Sequence, residues 1–207
     1  MIIPTYEQAK QYEKDYTYIP VCREILADDV TPILMLRKLA ALDGQYFLLE
    51  SVEGGNLGRY SFLGYHPKLS VSCKNGVVKV KENGMVRILP GKPKEALQSL
   101  LEQYRSPQIE GLPTFTGGLV GYFAYETIQY AEPKLHIKQS DVNDFELMMF
   151  DKLLAFDQVM HKLCIIVNAR TADGEAGYNK AVEEIDAFIE TLRITEPIPY
   201  EKPQKAP

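Results

Sequence analysis

The residues best suited to chemistry lie in the stretch YFLLESVEGGNLGRYSFLGYHP, residues 46–67. An apolar run ends at Leu49 and is followed at once by a carboxylate and a hydroxyl, Glu50 and Ser51. Arg59 comes next, across a glycine-rich loop. Glu50 can take an ammonium group, Arg59 can take a carboxylate or stack on a ring, and Leu48 and Leu49 can form an apolar wall. Those are the parts of a pocket for a small zwitterion. The same residues also suit a plain β-hairpin whose tip carries an exposed ion pair of little worth to stability. On residue types alone both readings stand.

Other segments offer less. FTGGLVGYFAYET, residues 115–127, has glycines at 117, 118 and 121, but neither the G-x-G-x-x-G spacing nor a G-K-S/T of a phosphate loop. Its glycines are expected to allow close backbone approach or a bulge in a strand. Tyr122 and Tyr125 are expected to pack, and Glu126 to lie on the surface. Asp141, Asp144 and Glu146 read as a solvated acidic turn rather than a metal site. His66, before Pro67, reads as a structural residue at a strand end, and Cys164, within LCIIV, as a buried and inert thiol. There is no G-x-S-x-G and no H-E-x-x-H. The expectation is therefore no catalytic residue and no metal ligand in this chain.

The three cysteines, Cys22, Cys73 and Cys164, have no metal-like spacing, and a sparse, odd count suits reduced thiols in the cytoplasm. With 207 residues, 45% of them hydrophobic, the chain can bury a real core. Its net charge is −5, and Lys and Arg are scattered, which argues against a nucleic-acid partner. No apolar run approaches the roughly 20 residues of a membrane span. The first residues, MIIPTYEQAKQYEKDY, lack the basic and apolar regions of a signal peptide.

These residues must be positioned by an alternation of short elements. Thr5 and Gln8 form a capping box that predicts a helix to about Tyr16. Thr31 and Pro32 start a second helix, ended by Gly44, with Ile33, Leu36, Leu39 and Ala40 on its core face. Residues 46–51 and 60–65 read as strands. Asn75-Gly76 and Asn83-Gly84 sit between alternating runs and predict a three-stranded meander over residues 69–89. Leu97, Leu100, Leu101 and Tyr104 mark one face of a third helix. FELMMFDKLLAFD and HKLCIIVNA read as two long paired strands turning near residues 157–161. The last helix, EAGYNKAVEEIDAFIETL, turns Val182, Ile185, Phe188, Ile189 and Leu192 inward. The order fits an α+β fold of mostly antiparallel β-sheets with helices packed outside. Residues 1–194 read as one domain, and the proline-rich residues 195–207 as a linker.

In their order along the chain, four segments resemble one family. LLES, a short loop and GRYSFLG resemble the N-terminal region of anthranilate synthase component I, a chorismate-utilising enzyme. IPVCREILADDVTPILMLRKL, FTGGLVGYFAYE and DFELMMFDKLLAFD agree with it. Aminodeoxychorismate synthase component I, of the folate branch, shares the glycine-rich segment but often departs from LLES. The resemblance implies an enzyme that converts chorismate to anthranilate and pyruvate with Mg²⁺, using ammonia from a glutamine amidotransferase subunit. It also implies feedback inhibition by L-tryptophan, with Ser51, then Leu49 and Glu50, contacting the inhibitor. Arg59 stands where the family carries a basic residue near it. The family's chorismate-binding and Mg²⁺-binding residues belong to a C-terminal domain outside this sequence. The expectation is thus a fragment without activity of its own, lacking the far wall of the tryptophan pocket and binding no cofactor. A stand-alone amino-acid-binding module is the competing reading.

Overall fold

The computed structural model describes residues 2–50, 58–132, 134–135, 137 and 141–199. Among them, β1 (Ile2–Ile3), α1 (Tyr6–Ala9), β2 (Tyr18–Leu26), α2 (Pro32–Leu42), β3 (Tyr46–Leu49) and β4 (Tyr60–Tyr65) come first. The meander β5 (Leu69–Lys74), β6 (Val77–Glu82) and β7 (Met85–Leu89) follows, then α3 (Pro93–Glu102) and β8 (Gly118–Phe123). β9 (Phe145–Phe150), β10 (Lys152–Asp157), β11 (Lys162–Arg170) and α4 (Gly174–Ile194) complete the series. The strands form a six-stranded sheet, β1-β2-β11-β10-β4-β3, and a five-stranded sheet, β7-β6-β5-β9-β8. Their pairings are antiparallel. The architecture is the expected α+β.

Local chemistry explains much of this. Asn75 and Asn83 adopt positive φ, 51° and 49°, as the tight turns of the meander demand. Thr31 Oγ1 accepts the Leu34 N–H at 3.1 Å and Pro32 opens α2. The buried stripe of α2 is Met35 and Leu39, while Ile33 faces solvent. α1 stops at Ala9 and passes through a 3₁₀ turn, Lys10–Tyr12, so the expected helix to Tyr16 is not made. Only Ala9 of α1 is buried, so no apolar stripe holds a longer helix down. In α3, Ala96 and Leu100 are buried with Leu97 and Tyr104 packed beside them, whereas Leu101 is exposed.

The run FELMMFDKLLAFD is not one strand paired with HKLCIIVNA. β9 belongs to the five-stranded sheet and β10 to the six-stranded sheet, so only the second half meets β11. Asp151 is the crossing point. Its carbonyl accepts both Asn168 N, at 3.0 Å, and Asn168 Nδ2, at 3.1 Å, and its carboxylate lies 3.3 Å from Lys68 Nζ. β2 is a further strand, paired with β11 along its whole length. Pro20 fits there because β1 reaches only Cys22 and Arg23, leaving that side of β2 open at the proline.

One face of the six-stranded sheet is covered by α2 and α4, with Val21, Leu39, Leu154, Ile165, Ile185 and Phe188 in that core. α3 covers the five-stranded sheet. The other face of the six-stranded sheet packs Phe47, Phe150, Leu153, Cys164 and Ile166 against residues of the glycine-rich segment. In α4, Ile185, Phe188 and Leu192 are buried, with Val182 and Ile189 packed against them. Beyond it, Ile198 exchanges two hydrogen bonds with Arg37 of α2, so residues 195–198 lie against the domain.

Candidate functional site

The hairpin expected from residues 46–67 is formed. Leu49 stands opposite Phe62, Phe62 opposite Ala155, Ala155 opposite Cys164, and Cys164 opposite Glu24. Directly opposed residues share a face. The next row on that face is Tyr60, Asp157, Lys162 and Leu26. The end of the hairpin therefore overlooks a surface that is aromatic and apolar at its centre and charged at its margin.

Phe62 is the meeting point of two segments that the sequence singles out. Its ring lies 5.5 Å from Phe115 of the glycine-rich segment, edge-on, and 5.8 Å from Tyr60. Gly64 makes room for the neighbouring row. A Cβ there would run into the Phe47 ring and meet Phe150 at 3.0 Å. Those two rings pack edge-to-face at 4.7 Å directly over it.

Arg59 is held from one side. Its Nε and Nη2 both donate to Asp157 Oδ2, at 3.1 and 2.6 Å, and its guanidinium carbon lies 5.0 Å from the Tyr60 ring centre. Among the described residues Nη1 has no hydrogen-bond partner. Asp157 is buried, and its Oδ1 accepts the N–H groups of Val159 and Met160, each at 3.0 Å. Burial opposes ionisation of this carboxyl, but the Arg59 guanidinium and the two backbone N–H groups outweigh it and hold it below the usual carboxylate range. Burial, followed by the Asp157 charge, pushes the Tyr60 hydroxyl up, so it stays a donor at neutral pH. Lys162 pairs with Glu24 at 2.8 Å on the far margin.

Of the four residues predicted for the site, Leu49 and Glu50 are exposed at the hairpin end and Arg59 is anchored at the start of β4. Ser51 lies outside the described residues. The ion pair made here is Arg59–Asp157. Asp157, Tyr60 and Phe62 escape a reading by motif. The signal that marks Asp157 is a lone carboxylate closing the apolar run KLLAFD.

Elsewhere the structure corrects two expectations. Asp144 is buried rather than solvated. It accepts Tyr130 Oη at 2.6 Å, Gly76 N at 3.2 Å and Cys73 Sγ at 3.5 Å, while Asp141 and Glu146 stay exposed. Burial and then the hydrogen bond to Asp144 push the Cys73 thiol up to about 12. Tyr122 and Tyr125, expected to pack, are exposed. His66 lies at the end of β4 with Nδ1 2.7 Å from Asp43 Oδ2, and Cys164 is buried. Gly121 allows close backbone approach, as its segment suggested, because a Cβ there would run into the Glu146 carbonyl. Among the described residues no three His, Cys, Asp or Glu gather to hold a metal ion, and no helix is long and apolar enough to cross a membrane.

No protein-family model matches the sequence. Individual proteins do. The chain is 36% identical over 190 residues to anthranilate synthase component 1 of Acetivibrio thermocellus, covering 89% of this chain and 38% of that protein. It is 35% identical over 202 residues to the Acinetobacter calcoaceticus component 1, covering 93% and 40%. The crystal structure of anthranilate synthase component I from Streptococcus pneumoniae TIGR4 superposes with a TM-score of 0.55 at 24% identity, over 84% of this chain and 37% of that one, which speaks for the fold. The chain thus spans about two-fifths of the length of the curated relatives it matches. Over that part of their length, its sequence is similar to that of the anthranilate synthase component 1 proteins.

Proposed function

We propose that this chain is the regulatory and scaffold part of an anthranilate synthase component I, comprising a domain to residue 194 and a connecting segment over residues 195–207. The whole protein would convert chorismate and ammonia to anthranilate and pyruvate in tryptophan biosynthesis. A glutamine amidotransferase subunit would deliver the ammonia. Mg²⁺ would work with chorismate in the region of the relatives that this chain does not match, so no step is assigned to the ion here.

In this reading the hairpin end is half of the feedback site for L-tryptophan. The observation that carries it is the anchored Arg59, which keeps Nη1 free and its guanidinium 5.0 Å from the ring of Tyr60, on the sheet face that Phe62 and Leu49 share. Glu50 would take the ammonium group, Ser51 would hydrogen-bond to the ligand, Arg59 would take the carboxylate, and Leu49 would line the apolar wall. Each charged group of the zwitterion then has an opposite partner, and the indole has aromatic and aliphatic surface beside it.

Two measurements test this. The full-length polypeptide, supplied with chorismate, ammonia and Mg²⁺, should form anthranilate. Accumulation of aminodeoxychorismate instead would move the chain to the folate branch. Calorimetric titration of the 207-residue chain with L-tryptophan should show weak binding or none, because one wall of the pocket is missing. Micromolar affinity would mean that the site is complete in this chain.

A further inference from the structure

The described sheets end in four edge strands, and one of them is unguarded. β1 is two residues long and β3 four. β7, MVRIL, carries Arg87 and runs into Pro90. β8, GLVGYF, is six residues long with no charge and no proline. Edge strands expose a row of unpaired N–H and C=O groups, and natural proteins blunt them by shortness, charge, proline or a covering element. Half of the backbone groups of β8 point away from β9. Among the described residues no backbone hydrogen bond reaches Gly118–Phe123 from outside that pairing.

The ground beside this edge is apolar and held in place. Tyr122 is 42% exposed, Phe123 59%, Tyr125 78% and Ile128 40%. Phe123 packs on Phe145 at 5.2 Å. The 3₁₀ turn Tyr125–Tyr130 is pinned to buried Asp144 at both ends. Ala124 N donates to the Asp144 carbonyl at 2.8 Å, and Tyr130 Oη donates to its carboxylate at 2.6 Å. A fixed strand edge flanked by exposed aromatic side chains is the surface that strand addition uses. The backbone supplies hydrogen bonds and the rings supply buried area.

We infer that β8 and the turn after it are the docking edge for an extended segment of the region that component 1 relatives carry beyond the part matched here. The inference rests on the proposed function. That region is the larger part of each relative, since the match covers 38% and 40% of two of them. A segment in the same polypeptide meets the edge at an effective concentration in the millimolar range, about a thousandfold above a second copy in dilute solution. The occupant is therefore intramolecular in the whole protein, flanked by Tyr122 on one face of the sheet and Phe123 on the other.

Amide hydrogen exchange tests it, with β6 as the internal standard because it is paired on both sides. In the 207-residue chain the outward amides of β8 should exchange at least tenfold faster than those of β6. In full-length Acetivibrio thermocellus component 1 the aligned strand should be protected to the level of its β6 counterpart. Equal, fast exchange in both proteins overturns the inference. So does protection in the 207-residue chain accompanied by a dimer in sedimentation, since a second copy would then hold the edge. A full-length relative that makes anthranilate but leaves this strand unprotected would sink the docking edge and leave the proposed function standing.

Discussion

Arg59 and Asp157, 98 positions apart in sequence, meet as a guanidinium half open to solvent and a carboxylate almost fully buried. The pair ties the start of β4 to the β10–β11 turn, and Gln158 N adds a bond to the Arg59 carbonyl at 2.9 Å. Replacing Asp157 by Ala leaves two turn N–H groups without their acceptor. The expected cost is about 2–3 kcal/mol, read from urea unfolding. Arg59→Ala should cost clearly less, because Asp157 keeps its bonds to Val159 and Met160. Equal losses would show that the ion pair, not the turn, is the stabilising element.

Acid should unfold the protein through its buried carboxylates. Burial opposes the charge on Asp144 and Asp157, but hydrogen bonds dominate and hold both below the usual range, Tyr130 leading at Asp144 and Arg59 at Asp157. The folded state therefore binds these protons less readily than the unfolded chain, whose Asp titrates near 3.9. Their stabilisation is complete above that value and is lost as pH falls through the lower folded values. Stability measured by urea unfolding should be flat from pH 7 to 5 and fall below about pH 4. Asp144→Asn should flatten the fall.

How much of this was legible in the sequence depends on how local the cause is. The meander follows from two Asn-Gly pairs, and the start of α2 from Thr31-Pro32, because each signal acts within a few residues. The sheet switch at Asp151 leaves no such mark. One polar residue between two apolar runs looks the same whether the strand continues or crosses. The partners that settle it, Asn168 and Lys68, are remote in sequence. At the site, Leu49, Glu50 and Arg59 are marked by their types, but the role of Asp157 exists only once β4 and β10 are paired. Asp144 looked solvated for the same reason, since Tyr130 and Gly76 reach it only in the fold.

Gly121 should be the least replaceable residue of the glycine-rich segment. A methyl group there meets the β9 backbone at Glu146 and Leu147, which cannot move without breaking the ladder. Gly121→Ala should cost at least about 2 kcal/mol. Gly44 is the control. Nothing lies within 4 Å of its added Cβ, and its φ is not positive, so Gly44→Ala should be neutral or mildly stabilising. Thermal unfolding of the two variants separates close approach from a general intolerance of change at glycine.

The regulatory reading makes its sharpest demand at the hairpin end. If Glu50 and Ser51 serve the inhibitor and not the reaction, Glu50→Lys repels the ammonium group of tryptophan and Ser51→Arg fills its place. Glu50 is exposed at the end of β3, so the core should tolerate its replacement. In the full-length enzyme each variant should raise the tryptophan concentration for half-inhibition by at least tenfold, while the uninhibited rate stays within about twofold. Rates with and without L-tryptophan give both numbers, and circular dichroism reports the fold. A folded variant without uninhibited turnover would place these residues in the reaction. Unchanged inhibition in both variants would leave Glu50 and Arg59 as the surface charges of an ordinary hairpin.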